Sequence, residues 1–169
     1  LFFIMVYVGG TLLLILLSPV LAYVSEKVDG HLTGRDYPFR LGEFLSDILR
    51  GIRIALRNLT VEVGITVASF FVGLIPLVGF LVPPFLFVVA AYFYGFAFMD
   101  YTLERHRYTV RQSIAAVGHH KGTAIGLGSV YMLLTTTPFI GFALAGFVSI
   151  LSVAAATIAA TEIVEKSEP

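Results

Sequence analysis

Six charged or titratable residues stand where apolar runs of this chain end, and their signs are mixed. Glu26, Lys27 and Arg35 follow the first run; Asp100, Arg105 and His106 follow a second. Such a rim reads either as an ion-pair network that orients loops or as a gate or binding site for an ion. Arg50, Arg53 and Arg57 recur at helical spacing, a stripe that faces water and lipid phosphates or gathers an anion for transport. Enzyme chemistry finds little support, and neither a catalytic residue nor a cofactor is expected. The chain has no cysteine, which removes disulfides, thiol catalysis and thiolate metal sites together. No zinc-protease helix motif, nucleophile elbow or phosphate-binding glycine loop occurs. His119 and His120 are adjacent, point in different directions on a helix and make a poor metal pair. The formal net charge is +0 with both signs mixed in the loops, so nothing points to nucleic acid.

The elements that must position these residues are apolar. The chain is 57% hydrophobic and 13% charged, with mean hydropathy +0.90, against about 25% charged residues in soluble domains. Ten of the eleven Lys and Arg fall in two windows, 25–62 and 100–121, as expected when charge is excluded from hydrocarbon and collected in loops. An all-α integral membrane protein follows. Within it, Val63–Met99 and Gly122–Thr161 carry no charge and share a pattern. Pro76, Gly79, Phe80 and Phe85 match Pro138, Gly141, Phe142 and Phe147 at one offset of 62, and Gly64 matches Gly126.

In order, residues 1–28 form a transmembrane helix, with a bend at Pro19 and close packing at Gly9-Gly10. Residues 41–59 read as an amphipathic helix lying on the membrane surface, with the arginine stripe outward. Hairpin 1 spans 63–99, a cytoplasmic connector 100–121 and hairpin 2 122–161, all in one membrane domain. The charge-free arms of hairpin 1, 63–76 and 84–99, come to about 21 and 24 Å at 1.5 Å per residue, short of the roughly 30 Å hydrocarbon thickness. Two Pro/Gly-broken, re-entrant or barely spanning hairpins are therefore expected. A hairpin returns the chain to its side of origin, so the three basic segments share a face, and positive charge makes it cytoplasmic, the C-terminus included. Within the connector, a short surface helix beginning near Tyr108 or Thr109 and ending at Gly118 is expected. No initiator Met is present, and Leu1 opens inside an apolar run, so the N-terminal part of the natural protein is expected to lie upstream.

Three segments resemble the CysZ sulfate permease family of the etoposide-induced-protein superfamily. Pro19-Val-Leu-Ala-Tyr-Val-Ser-Glu26 through Leu-Thr33-Gly34 resembles the end of a long family helix. Leu74-Ile-Pro76-Leu-Val-Gly79 resembles the first hairpin tip. Asp100-Tyr-x-x-Glu104-x-His106-Arg107, with Thr-Pro138-Phe-Ile downstream, resembles the inter-hairpin motif and second tip, although Thr102 stands where the family usually has Pro. The resemblance implies a bacterial inner-membrane homo-oligomer among its lipids, admitting sulfate to the cytoplasm for cysteine synthesis. It also implies a sulfate-binding Gly-Leu-Arg loop upstream of Leu1, with no match in this chain. The alternative is a non-conducting membrane scaffold or interaction protein of the same superfamily, because fold does not settle function.

Sulfate in hydrocarbon needs donors along its route, and neither hairpin holds a cationic side chain. Helix N-termini after the Pro/Gly turns offer free amides. Gly79 and Gly141, with the hydroxyls of Thr135, Thr136 and Thr137, are the candidate anion pathway. The other reading of these residues is plain turns packed against a neighbouring subunit.

Overall fold

Long apolar runs with few breakers propagate as long helices, because in lipid every backbone group must be bonded within its own segment. The computed structural model describes residues 2–35, 41–136 and 140–167. Its six α-helices are α1 (Phe2–Thr33), α2 (Leu41–Gly73), α3 (Val82–Arg105), α4 (Val110–His119), α5 (Lys121–Thr135) and α6 (Ile140–Ser167). Three stretches, Leu49–Gly73, Val78–Arg105 and Leu144–Lys166, are long and apolar enough to cross a membrane by length and composition. The protein is an all-helical membrane protein, and no strand occurs among the described residues.

Two expectations need correction. The amphipathic helix expected at 41–59 is not a separate element, since α2 runs unbroken from Leu41 to Gly73. Between Leu59 and Val63 nothing interrupts helical hydrogen bonding, and one glycine at Gly64 is too weak a breaker to end a helix. The first arm of hairpin 1 is therefore the second half of a helix that begins among charges. The return helix also runs past its charge-free stretch. Counting charge-free residues ends the return arm at Met99, whereas α3 continues to Arg105 because its charged end is paired inside the protein. At 1.5 Å per residue α2 is about 50 Å long and α3 about 36 Å.

The turn between α2 and α3 lies where Pro76 and Gly79 predict it. Residues 74–77 form turns, Val78–Leu81 is a 3-10 segment, and α3 opens with prolines in its first turn, where no donor is missed. Leu77 is held at φ 71°, a left-handed backbone that a branched side chain rarely adopts. Gly79 is required by space, because a Cβ there would stand 2.7 Å from the Gly73 carbonyl oxygen. Leu77 and Phe80, both 83% exposed, form the tip.

α3 is the central helix, packing against α5, α6, α2 and α1. Its tightest crossing is with α5. Ala91 and Gly95 on α3 face Ala124 and Gly128 on α5, and a Cβ at either glycine would collide with the opposite alanine's carbonyl. Two small residues one turn apart on each helix let the backbones touch, the usual means of helix association where lipid offers no hydrophobic gain. The core built around this crossing includes Phe96, Phe98, Met99, Leu103, Val117 and Val153. The tip half of the α2–α3 hairpin lies outside it, with Phe70, Phe71, Leu74 and Leu81 exposed.

Candidate functional site

α1 presents one buried residue per turn to α3 and α6: Leu21, Ser25 and Asp29. Two of the three are polar, and buried polar groups must be hydrogen-bonded or cost several kcal/mol each. Their partners come from the facing helices. Ser25 Oγ lies 3.2 Å from Thr102 Oγ1, 3.0 Å from Thr157 Oγ1 and 3.0 Å from Arg105 Nη1, which donates to it. Arg105 Nη2 also donates to the Ala22 carbonyl at 2.8 Å. One turn along, Asp29 Oδ1 accepts from Thr161 Oγ1 at 2.8 Å and meets His106 Nε2 at 3.2 Å. His106 Nδ1 lies 3.3 Å from Arg35 Nη1. Arginine only donates, so Nδ1 accepts and Nε2 carries the proton toward Asp29. The result is a two-tier polar network tying α1, α3 and α6 together.

A second network gathers on Arg50, whose side chain is 15% exposed. Its Nη1 and Nη2 donate to Asp100 Oδ2 and Oδ1 at 3.1 and 3.0 Å, a bidentate pair, and Glu104 Oε2 lies 3.5 Å away. Its Nε donates to the Tyr108 carbonyl at 3.0 Å and Nη2 to Ser113 Oγ at 2.7 Å. The connector is shaped to deliver these acceptors. α3 ends with Arg107 at φ 61°, Tyr108 N–H bonding back to Leu103 O at 3.0 Å and Arg107 N–H to Glu104 O at 2.9 Å. Thr109 and Gln112 then form a reciprocal cap that starts α4 and sets Ser113 in its first turn. This short helix falls where the sequence predicts it.

The structure sorts the expected site residues unevenly. Of the rim, Arg35, Arg105 and His106 converge on α1, while Asp100 joins the Arg50 network. Lys27 is exposed and lies 5.5 Å over the Tyr23 ring, and its neighbour Glu26 is half-buried. The pathway candidates are dispersed. Gly79 sits in the hairpin 1 turn with its N–H donated to Ile75 O at 3.1 Å. Thr135 and Thr136 end α5, and their hydroxyls donate to carbonyls of their own helix, at Tyr131 and Met132. Gly141 falls in the first turn of α6, and Thr137 lies outside the described residues. Among the described residues no cluster of His, Asp and Glu could hold a metal ion.

Sequence reasoning missed Ser25, Asp29, Thr157 and Thr161 as a unit, and gave Arg50 a partner three residues before it, at Asp47, without seeing Asp100. A signal was present. Ser25 and Asp29, like Thr157 and Thr161, are four apart on apolar helices, so each pair shares a face.

No curated protein sequence matches the chain. The family described as Sulfate transporter CysZ/Etoposide-induced protein 2.4 matches residues 1–145, taking in α1 to α5 and the opening of α6. Thr157 and Thr161, which bond the buried residues of α1, lie beyond that match. A match over most of the chain, on helices whose loops and inter-hairpin motif carry both polar networks, makes this protein a member of the Sulfate transporter CysZ/Etoposide-induced protein 2.4 family.

Proposed function

We propose that the protein is a sulfate permease of a bacterial inner membrane, working as a homo-oligomer and admitting sulfate to the cytoplasm for cysteine synthesis. The observation that supports this reading is the convergence of three donor side chains at one end of the bundle. Arg35, Arg105 and His106 meet around the last turns of α1, and the hydroxyls of Ser25, Thr102 and Thr157 continue inward from them. Donors graded from the rim into an apolar bundle are what a desolvating oxyanion needs.

In this reading the α2–α3 hairpin and the α5–α6 hairpin enter from the same leaflet as a repeat, with rim and C-terminus on the cytoplasmic side. From Val82 to Asp100 is 18 residues, about 27 Å, which keeps the apolar tip within hydrocarbon. The Gly79 and Gly141 turns, with Thr135 to Thr137, line the inner end of the route; Thr135 and Thr136 would rotate their protons off their own helix to serve an anion. Radiolabelled sulfate uptake into liposomes holding the full-length protein tests the reading. Saturable uptake is expected, falling at least about tenfold in Arg105→Met as a charge-assisted contact is lost. Absent uptake would leave the second reading, a non-conducting scaffold. The exposed aromatic tip of hairpin 1 favours that one, as a surface for neighbours rather than ions.

A further inference from the structure

Arg50 and Arg57 stand seven residues apart on α2, two helical turns, and both fall in the span Leu49–Gly73. Their surroundings differ in kind. Arg50 has every donor direction answered, two carboxylates included. Arg57, about 10 Å further toward the tip, is half-buried, and among the described residues its guanidinium makes one hydrogen bond, from Nη1 to Asn58 Oδ1 at 2.8 Å. That partner is a neutral amide. The acidic groups of α3, Asp100 and Glu104, are drawn to Arg50, and Glu62 lies five residues further along α2, on another face.

Arg57 lies seven residues tipward of Arg50 on α2 and Tyr92 eight residues tipward of Asp100 on α3, so the pairing of Arg50 with Asp100 sets the two at about one level of the antiparallel hairpin. The Tyr92 ring is fixed edge-on to Phe93 and Phe96, and among the described residues the hydroxyl makes no hydrogen bond. Asn58 is 8% exposed, and because its oxygen is taken by Arg57 its amide –NH2 is left as a donor. A cation, an amide donor and a phenol donor thus stand at one level of an apolar hairpin, and among the described residues Arg57 forms no ion pair with a carboxylate. An arginine held in such a span is costly unless an anion offsets it.

We infer that Arg57, Asn58 and Tyr92 form an oxyanion-binding site between α2 and α3, about 10 Å along α2 from Arg50 toward the hairpin tip. Its ligand is a tetrahedral oxyanion, either free sulfate or the phosphate of a lipid headgroup. Naming sulfate rests on the permease reading; the site itself does not. Guanidinium donors match such an oxyanion two at a time, and Tyr92 supplies a third donor from the opposite helix. Arg50, already saturated by Asp100, cannot serve.

The test uses the purified full-length protein in detergent, with radiolabelled sulfate binding, native mass spectrometry of retained phospholipid, and thermal melting with and without sulfate. Arg57→Met is expected to weaken sulfate binding about tenfold or more, Arg57→Lys and Tyr92→Phe by about threefold to tenfold. Arg53→Met, exposed on the same helix, is expected to change it less than about twofold. Should Arg57→Met misfold, the sulfate-induced rise in melting temperature in Arg57→Lys carries the result, expected smaller than in the parent. Loss of bound phospholipid in Arg57→Met with sulfate binding intact would assign the site to a headgroup phosphate and still support it. A parent protein that binds sulfate through Arg57 but moves none would sink the permease reading alone. Unchanged sulfate binding and unchanged phospholipid in folded Arg57→Met would overturn the site.

Discussion

The rim half of the α2–α3 hairpin and its tip half treat polar groups in opposite ways. Around Arg50 and Asp100, acceptors from three elements close on one guanidinium, two carboxylates among them. Toward the tip, the hydrogen bond that Arg57 makes among the described residues goes to the neutral amide of Asn58, with the Tyr92 phenol at about the same level of α3. The α1–α3–α6 interior falls between the two: Asp29 is held by Thr161 and His106, while Arg105 donates to a hydroxyl and a backbone carbonyl, neutral acceptors that an oxyanion can replace. A charge answered within the fold works as a fastener, and a charge left with donors only is free to bind. Because both kinds occur on one helix, the difference does not come from composition. It comes from which residues α3 and α4 set opposite each arginine.

The comparison breaks if the two arginines contribute alike to stability. Arg50→Met leaves Asp100 and Glu104 facing each other in a buried site without their cation, and should cost about 3–5 kcal/mol. Arg57→Met removes a single bond to a neutral amide and should cost no more than about 1 kcal/mol. Thermal unfolding in detergent, followed by circular dichroism, reads both. Equal losses would mean that Arg57 is a fastener too.

A smaller effect sharpens the contrast between packed and unpacked halves. Gly95→Ala places a methyl against the Ala124 carbonyl at the α3–α5 crossing, so the helices must part, at about 1–3 kcal/mol. Gly64→Ala, on α2 toward the tip, meets nothing within 4 Å and removes a helix-weakening glycine, for a gain of up to about 1 kcal/mol. The same substitution in the two halves thus carries opposite signs. A loss in both would show the tip half to be packed in the assembly.

Much of the fold was legible from residues and spacing. Pro76 and Gly79 mark the turn, Pro83 and Pro84 the start of α3, and Thr109 the start of α4. What could not be read was which charges end a helix and which are carried inside it. Asp100 ends an apolar run, yet the helix continues because Arg50, fifty residues away, answers it. Asp29 falls just past the expected end of the first helix at 28, yet α1 carries it inside to Thr33 for the same reason: its partners Thr161 and His106 are distant in sequence. For the candidate pathway, Thr135 and Thr136 advertise hydroxyls, but their own helix claims the protons, a local bond that residue types do not reveal.

The last test changes stability least and bears on how deep the tip lies. The chain has no cysteine, so single cysteines at Leu77 and Arg53 report without background. Both positions are exposed, and Leu77 is unpacked at the turn, so neither substitution should cost more than about 0.5 kcal/mol. With a membrane-impermeant maleimide on oriented vesicles, Cys in place of Arg53 should react from the cytoplasmic face alone. Cys in place of Leu77 should react from neither face if the hairpin turns back within hydrocarbon, since the thiolate needed for reaction does not form there. Labelling of the tip from the opposite face would show that α2 and α3 cross completely. Arg57, 20 residues or about 30 Å before Leu77, would then lie near the cytoplasmic interface, and a route for the anion would have to run on along the rest of the hairpin.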